Sequence, residues 1–261
     1  MKPAFCHVLA ATIAGLQVAF AQNLLVNGDF SAGNSGFSTD YIFVSSGQSQ
    51  TPDTFGIRTN GLDFNPAYAS FGDHTTGTGM MMLLDGYPAP DKNAWSETIG
   101  VTTNTDYLFS GWAASADPFN PGTLRFLING TPVGVDLILS SNAGTWTNFV
   151  ATWNSGTNHT ATLAIVDVNT VSYGNDFALD DLAFVSTQPV LVIRQTGAQA
   201  FELSWNSQNN VNYQLQWTSP LSLGNNWENM GTPVPGNGFT NTVPDAPSTN
   251  TTKFYRLQVL P

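Results

Sequence analysis

Short runs of alternating apolar and polar residues recur about every 10 to 15 residues through most of the chain, and Gly, Asn, Pro and Thr separate them. Helical periodicity is nearly absent. In the run "TLRFLIN" from Thr123, Leu124, Phe126 and Ile128 fall on one side, and Arg125, Leu127 and Asn129 on the other. Such a run buries one face only. Asn129-Gly130 then supplies two residues suited to positive φ, which predicts a tight hairpin. The same reading places strands at "NLLVNGDF" from Asn23, "TDYIFVS" from Thr39, "MMMLLD" from Met80, "AWSETIGV" from Ala94 and "DYLFSGWAA" from Asp106. Three more follow at "WTNFVATWN" from Trp146, "TATLAIVDV" from Thr160 and "DFALDDLAFV" from Asp176. Many short strands joined by turns imply an all-β fold, here a jelly-roll β-sandwich.

The pattern restarts at "VSTQPVLVIRQTG", where Pro189 follows the ninth run. A second strand set, "AFELSWN", "NYQLQWTS", "NWENMG" and "KFYRLQVL", carries Trp205, Tyr213, Trp217 and Tyr255 and predicts a small second β-sandwich. The opening "MKPAFCHVLAATIAGLQVAFAQN" has a basic residue, an apolar stretch and Ala19-Phe20-Ala21 as a small-x-small cleavage site. It reads as a secretory signal rather than an anchor, being short for a span. The expected organisation is therefore a signal peptide over residues 1–21, a jelly roll over 22–187 and a second sandwich over 188–261.

Cys6 is the single cysteine and falls in the signal, so the expected mature chain has neither disulfide nor thiol chemistry. Of 18 acidic residues against 7 basic, fifteen are Asp. Such a surface repels nucleic acid and anionic membranes, and no later segment is apolar enough to span a bilayer. Asp-rich loops also suit calcium, although most of these carboxylates need do no more than keep the protein in solution.

"DHTTGTGMMMLLDG", from Asp73, carries the densest chemistry. Its first half reads as a loop in which Thr75 and Thr76 hold the turn. In its second half Met80, Met82 and Leu84 share one face, and Met81, Leu83 and Asp85 the other. His74 and His159 are the two histidines outside the signal, and His74 is expected to lack a partner elsewhere in the chain. No HExxH, GxSxG or glycine-rich phosphate loop occurs, and no carboxylate pair is singled out for hydrolysis. The expectation is a non-enzyme. Sugar recognition needs aromatic platforms beside planar polar groups, because sugars offer apolar C–H faces and many hydroxyls. Trp95, Trp112 and Tyr87 are candidate platforms. Arg125, Asp85 and Asn129 are candidate hydrogen-bonding partners, with Arg125 and Trp112 read as sharing an open face. Each Trp also has an ordinary reading as a core residue.

"NLLVNGDFSAG", "AWSETIGVTTNTDYLFSGWAAS" and "DFALDDLAF" resemble segments of carbohydrate-binding jelly rolls of the family 4/9/22 type and the wider galactose-binding-like group. "DHTTGTGMMMLLDG" is similar to the corresponding segment of MAM domains. The resemblance covers about residues 23 to 186. It implies terminal strands lying side by side and a structural calcium ion tying the first to the last. The ligands it implies are Asp29, Asp180, and Asp73 from the MAM-like segment. Ser31 occupies a ligand position where Glu is usual. The alternative to calcium is that Asp29 and Asp180 cap turns and Asp181 faces solvent. The partner implied is a polysaccharide or glycan outside the cell, with an extracellular protein as the alternative. "FELSWNSQNNVNYQLQWTS" and "TTKFYRLQV" resemble fibronectin type III strands, with Tyr255 as the tyrosine-corner residue and the module as a spacer or attachment unit.

Overall fold

The computed structural model describes residues 23–89, 92–171, 173–197, 200–207, 211–219, 226–237, 239–245 and 253–260. The expected signal peptide lies outside them. The chain divides into two compact units, Gln22–Gln188 and Pro189–Pro261.

The first unit contains β1 (Ile42–Phe43), β2 (Thr54–Arg58), a one-turn helix α1 (Gly61–Phe64), β3 (Met81–Asp85), β4 (Asn93–Gly100) and β5 (Asp106–Ser115). β6 (Thr123–Ile128), β7 (Thr131–Pro132), β8 (Leu137–Ile138), β9 (Thr147–Asn154), β10 (Thr160–Asp167) and β11 (Phe177–Ser186) follow. One sheet runs β1-β2-β3-β11-β5-β9, and the other runs β4-β10-β6-β7 with β8 also on β6. From β3 to β6, and again from β9 to β11, each successive strand crosses to the opposite sheet. This makes the two-layered sandwich that the alternation predicts, antiparallel except for the short β1–β2 pair. The hairpin is where Asn129-Gly130 places it: both residues have positive φ, 51° and 74°, and Ile128 pairs with Thr131.

Inward residues of both sheets fill the space between them. Leu124, Phe126 and Ile128 of β6 meet Tyr107, Phe109 and Phe149 of the other sheet. Phe126 stacks on Phe149 at 3.4 Å, and Phe109 meets both rings edge-on. Trp95 is fully buried in this core, tilted against Phe109 at 6.4 Å. β3 is buried on both faces. Met82 and Leu84 join the main core, whereas Met81 and Leu83 pack beneath Phe64 and Tyr68 in a second cluster.

The N-terminal segment departs from the strand expected there. It lies beside β11 but forms no regular ladder, because Asn27 and Phe30 take positive φ, 60° and 54°. Two backbone bonds hold it, Leu24 N–H to Phe184 O and Leu182 N–H to Gly28 O, both 2.9 Å. The Asn23 amide fills the gap, donating to Leu182 O and accepting from Phe184 N–H. Gly28 fits because a Cβ there would come within 2.0 Å of Leu182 O.

The second unit contains β12 (Val192–Gln195), β13 (Phe201–Asn206), β14 (Asn212–Thr218), β15 (Glu228–Asn229), β16 (Val234–Pro235), β17 (Thr240–Asp245) and β18 (Phe254–Leu260). They form the sheets β12-β13-β17 and β15-β14-β16, with β18 also pairing along β14. Among the described residues, Trp205, Tyr213, Leu203 and Leu215 are its buried hydrophobic residues, with the Trp205 and Tyr213 rings 6.0 Å apart. The Tyr255 hydroxyl donates to the Asp245 carboxylate at 2.6 Å. A tyrosine corner donates to backbone instead, so Tyr255 departs from that expectation.

Candidate functional site

The loop from Asp73 to Gly79 folds around one carboxylate. Asp73 accepts from Thr76 N–H at 2.9 Å, Gly79 N–H at 2.6 Å and the Thr76 hydroxyl at 2.9 Å. Burial alone would raise its pKa, but the amide and hydroxyl donors together outweigh burial and hold it below the ordinary carboxylate value. The folded loop projects His74 over β5 and β11. The His74 N–H donates to Asp180 Oδ2 at 2.9 Å, and its Nδ1 meets Asp181 Oδ2 at 2.7 Å. A carboxylate only accepts, so Nδ1 carries the proton in this contact. The Thr75 hydroxyl donates to the same Asp181 oxygen.

Asp181 reaches His74 because β11 is irregular there. The register on β5 shifts between Asp180 and Ala183, and Asp181 takes φ +48°. A bulge of this kind turns a side chain away from its regular strand direction. The His74 ring then lies flat on Trp112, 3.8 Å between centroids and 15° between planes. Trp146 stands edge-on to His74 at 6.0 Å, fixed by an indole N–H bond of 3.2 Å to Gly72 O. Trp112 sits on the outer side of β5, since Tyr107, Phe109, Gly111 and Ala113 point inward.

A groove of about 410 Å³ follows the seam between the N-terminal segment and β11. Asn23, Asn27, Asp29 and Asp181 line it with Leu25 and Ala183. Asp181 therefore joins the groove to the ring cluster. Asp29 is exposed and accepts from the Ser31 N–H and hydroxyl through one carboxylate oxygen.

The expected site residues do not form one group. Trp95 belongs to the core and presents no platform. Arg125 and Trp112 lie on different sheets, so they share no open face, and Arg125 is engaged by Asp136 through two bonds of 2.9 and 2.7 Å. Asn129 closes the β6–β7 hairpin, accepting from Thr162 N–H at 2.9 Å. Tyr87 is half-buried, with the Lys92 ammonium 4.1 Å from its ring centre. Asp85 lies under α1 and the following loop, where the Asn65 amide donates to it at 3.2 Å and burial pushes its pKa up to about 6.

Nor are Asp29, Ser31, Asp73 and Asp180 gathered into one cluster. Among the described residues, no group of three or more His, Cys, Asp or Glu is placed to hold a metal ion. The two Asp73 oxygens accept from loop donors, and both Asp180 oxygens accept amide N–H bonds, from His74 and Asp181.

One expectation about partners is overturned: His74 is partnered by Asp181 and Trp112. Trp146 was not singled out by the sequence. The Asp180-Asp181 doublet was the one signal available, and only the bulge separates the roles of its two carboxylates.

No family model and no curated protein matches the chain. Among solved structures, it is similar to the N-terminal tandem CBM22 domains of Paenibacillus barcinonensis Xyn10C, at 9% identity over 94% of this chain and 87% of that one, with a TM-score of 0.43. A family 16 carbohydrate-binding module aligns at 15% identity over 62% of this chain and 99% of its own, with a TM-score of 0.37. The sugar-binding C-terminal domain of EclA aligns at 20% identity over 44% of this chain and 89% of its own, with a TM-score of 0.35. All three scores are low, and the site is read from its own residues.

Proposed function

We propose that this chain is a secreted, non-catalytic protein that binds an uncharged glycan through the first unit. The observation that supports this most is the ring cluster of His74, Trp112 and Trp146, held by Asp181 at the edge of the groove. Aromatic rings suit the apolar C–H face of a pyranose. The Asp29 and Asp181 carboxylates accept hydrogen bonds, and vicinal sugar hydroxyls supply donors in pairs. The acidic surface disfavours uronic acids and sulfated chains, which leaves neutral polysaccharides as the ligand class. The second unit serves as a spacer or attachment module in this reading.

Affinity electrophoresis against a panel of neutral polysaccharides tests it. Retardation is expected for the wild-type chain, with a loss of about tenfold or more in Trp112→Ala. Failure to bind any neutral polysaccharide, or equal binding by Trp112→Ala, would count against it.

A further inference from the structure

A second aromatic surface lies away from the groove, on the loops that follow β5 and β10. Phe119 is 54% exposed and Tyr173 is 64% exposed, and their rings lie 5.6 Å apart at 33°. Neither ring belongs to a hydrophobic core cluster. The backbone beneath them is nevertheless tied from both sides. The Asn120 amide donates to Tyr173 O at 2.8 Å, and the Asn169 amide donates back to Asn120 O and Pro121 O at 2.8 and 2.9 Å. Phe119 N–H donates to buried Asp117 at 2.8 Å. Gly174, at φ +84°, lets the two loops close, because a Cβ there would come within 2.2 Å of Phe119 O.

These bonds fix the backbone that carries an aromatic pair no core requires, so ordering on binding is confined to the two side chains. The chain's charge bears on what covers them. With 18 acidic residues against 7 basic, two copies repel each other, as do anionic chains and anionic membranes. A neutral ligand with flat apolar faces meets neither barrier. We propose that Phe119 and Tyr173 form a second glycan contact, stacking on a sugar ring of the same uncharged polymer. This rests on the glycan-binding reading of the groove and extends it to two-point attachment along a long chain.

Two contacts on one polymer multiply affinity through effective concentration, whereas a short oligosaccharide engages one site at a time. The test compares Phe119→Ala/Tyr173→Ala with Trp112→Ala, using a neutral polysaccharide retained by the wild-type chain and its short oligosaccharides. The loop variant is expected to lose about tenfold or more on the polymer while keeping the affinity of Trp112-dependent oligosaccharide binding. Unchanged polymer affinity in the loop variant would overturn the second contact and leave the groove standing. A loss in the loop variant with none in Trp112→Ala would overturn the groove and leave the loop pair. A wild-type chain that sediments as a dimer, and a loop variant that sediments as a monomer, would assign the rings to self-association and overturn the proposal. Tyr173→Phe, which keeps the ring, is expected to retain polymer binding, and its loss would also contradict stacking.

Discussion

The loop that carries His74 and the ends of β3, β10 and β11 all bury carboxylates, and Asp73 in the loop answers burial in the opposite way from the others. In the His74 loop, Asp73 gathers two amide N–H donors and a hydroxyl, and its pKa falls. Asp85 at the end of β3, Asp167 at the end of β10 and Asp176 just before β11 are also buried. Asp85 and Asp176 accept from one donor each, the Asn65 amide and the Gly86 N–H, whereas Asp167 accepts from the Thr123 and Asn169 N–H groups and the Asn175 amide. Burial pushes Asp85 and Asp167 up to about 6. It pushes Asp176 up to about 7, with further lifting from the negative charges of Asp85, Asp117 and Asp167. Asp180 sides with this second group, raised to about 7 by burial and then by Asp181 and Asp73, although it accepts two amides. The donor count alone does not separate them, since Asp167 and Asp180 accept as many backbone amides as Asp73; the direction follows from whether the donors outweigh the loss of water, as they do only at Asp73 among these five.

Linkage turns this difference into opposite pH signs. A carboxylate raised above its unfolded value holds its proton longer in the folded state, so its contribution is complete below about pH 4 and is lost as pH rises through about 6 to 7. Asp73, lowered, stabilises above the unfolded value and loses that contribution as pH falls through its folded value. The largest expected effect is therefore on the Asp85, Asp167 and Asp176 group. Thermal midpoints should fall between pH 5 and pH 8, and Asp176→Asn should raise the midpoint at pH 8 by about 5–8 °C. A flat profile for the wild-type chain would erase the contrast between the two groups.

Next in size is Asp73→Ala, which strands the Thr76 and Gly79 amides. It should lower the midpoint at pH 7 by about 3–5 °C. A gain in stability at that pH would place Asp73 with the raised group. Asp181→Asn is expected to move the midpoint by less than about 2 °C, because the side chain is part-exposed and Asn still accepts. Its effect should appear in polysaccharide binding, through a His74 ring no longer held by a carboxylate. The smallest effect is the response to calcium. Adding a chelator should leave the midpoint unchanged, and a downward shift that disappears in Asp73→Asn would restore the calcium reading of this loop.

The sequence carried most of the first unit's architecture. Period-two alternation placed Leu124, Phe126 and Ile128 inward, and Asn129-Gly130 announced the hairpin through the conformations those two residues tolerate. The 81/83/85 face of β3 was also readable as distinct from the 80/82/84 face. Alternation cannot say how far a covering loop extends, so the burial of Asp85 under α1 was not readable. Trp95 shows a second limit, since a tryptophan at a strand position is core or platform according to which sheet face it takes. The meeting of His74 with Asp181 escaped because 107 residues separate them and because a bulge in β11 aims Asp181 out of register. A bulge leaves almost no mark in the sequence of the strand that carries it.

Isothermal titration of one neutral oligosaccharide into the wild-type chain, Trp112→Ala and Trp95→Ala tests the central claim most directly. Binding should weaken about tenfold or more in Trp112→Ala while its thermal midpoint stays within about 2 °C of wild type. Trp95→Ala should instead lose about 3–5 kcal/mol of stability as a core truncation. Equal affinity in the wild-type chain and Trp112→Ala would contradict a glycan site built on the His74–Trp112 stack.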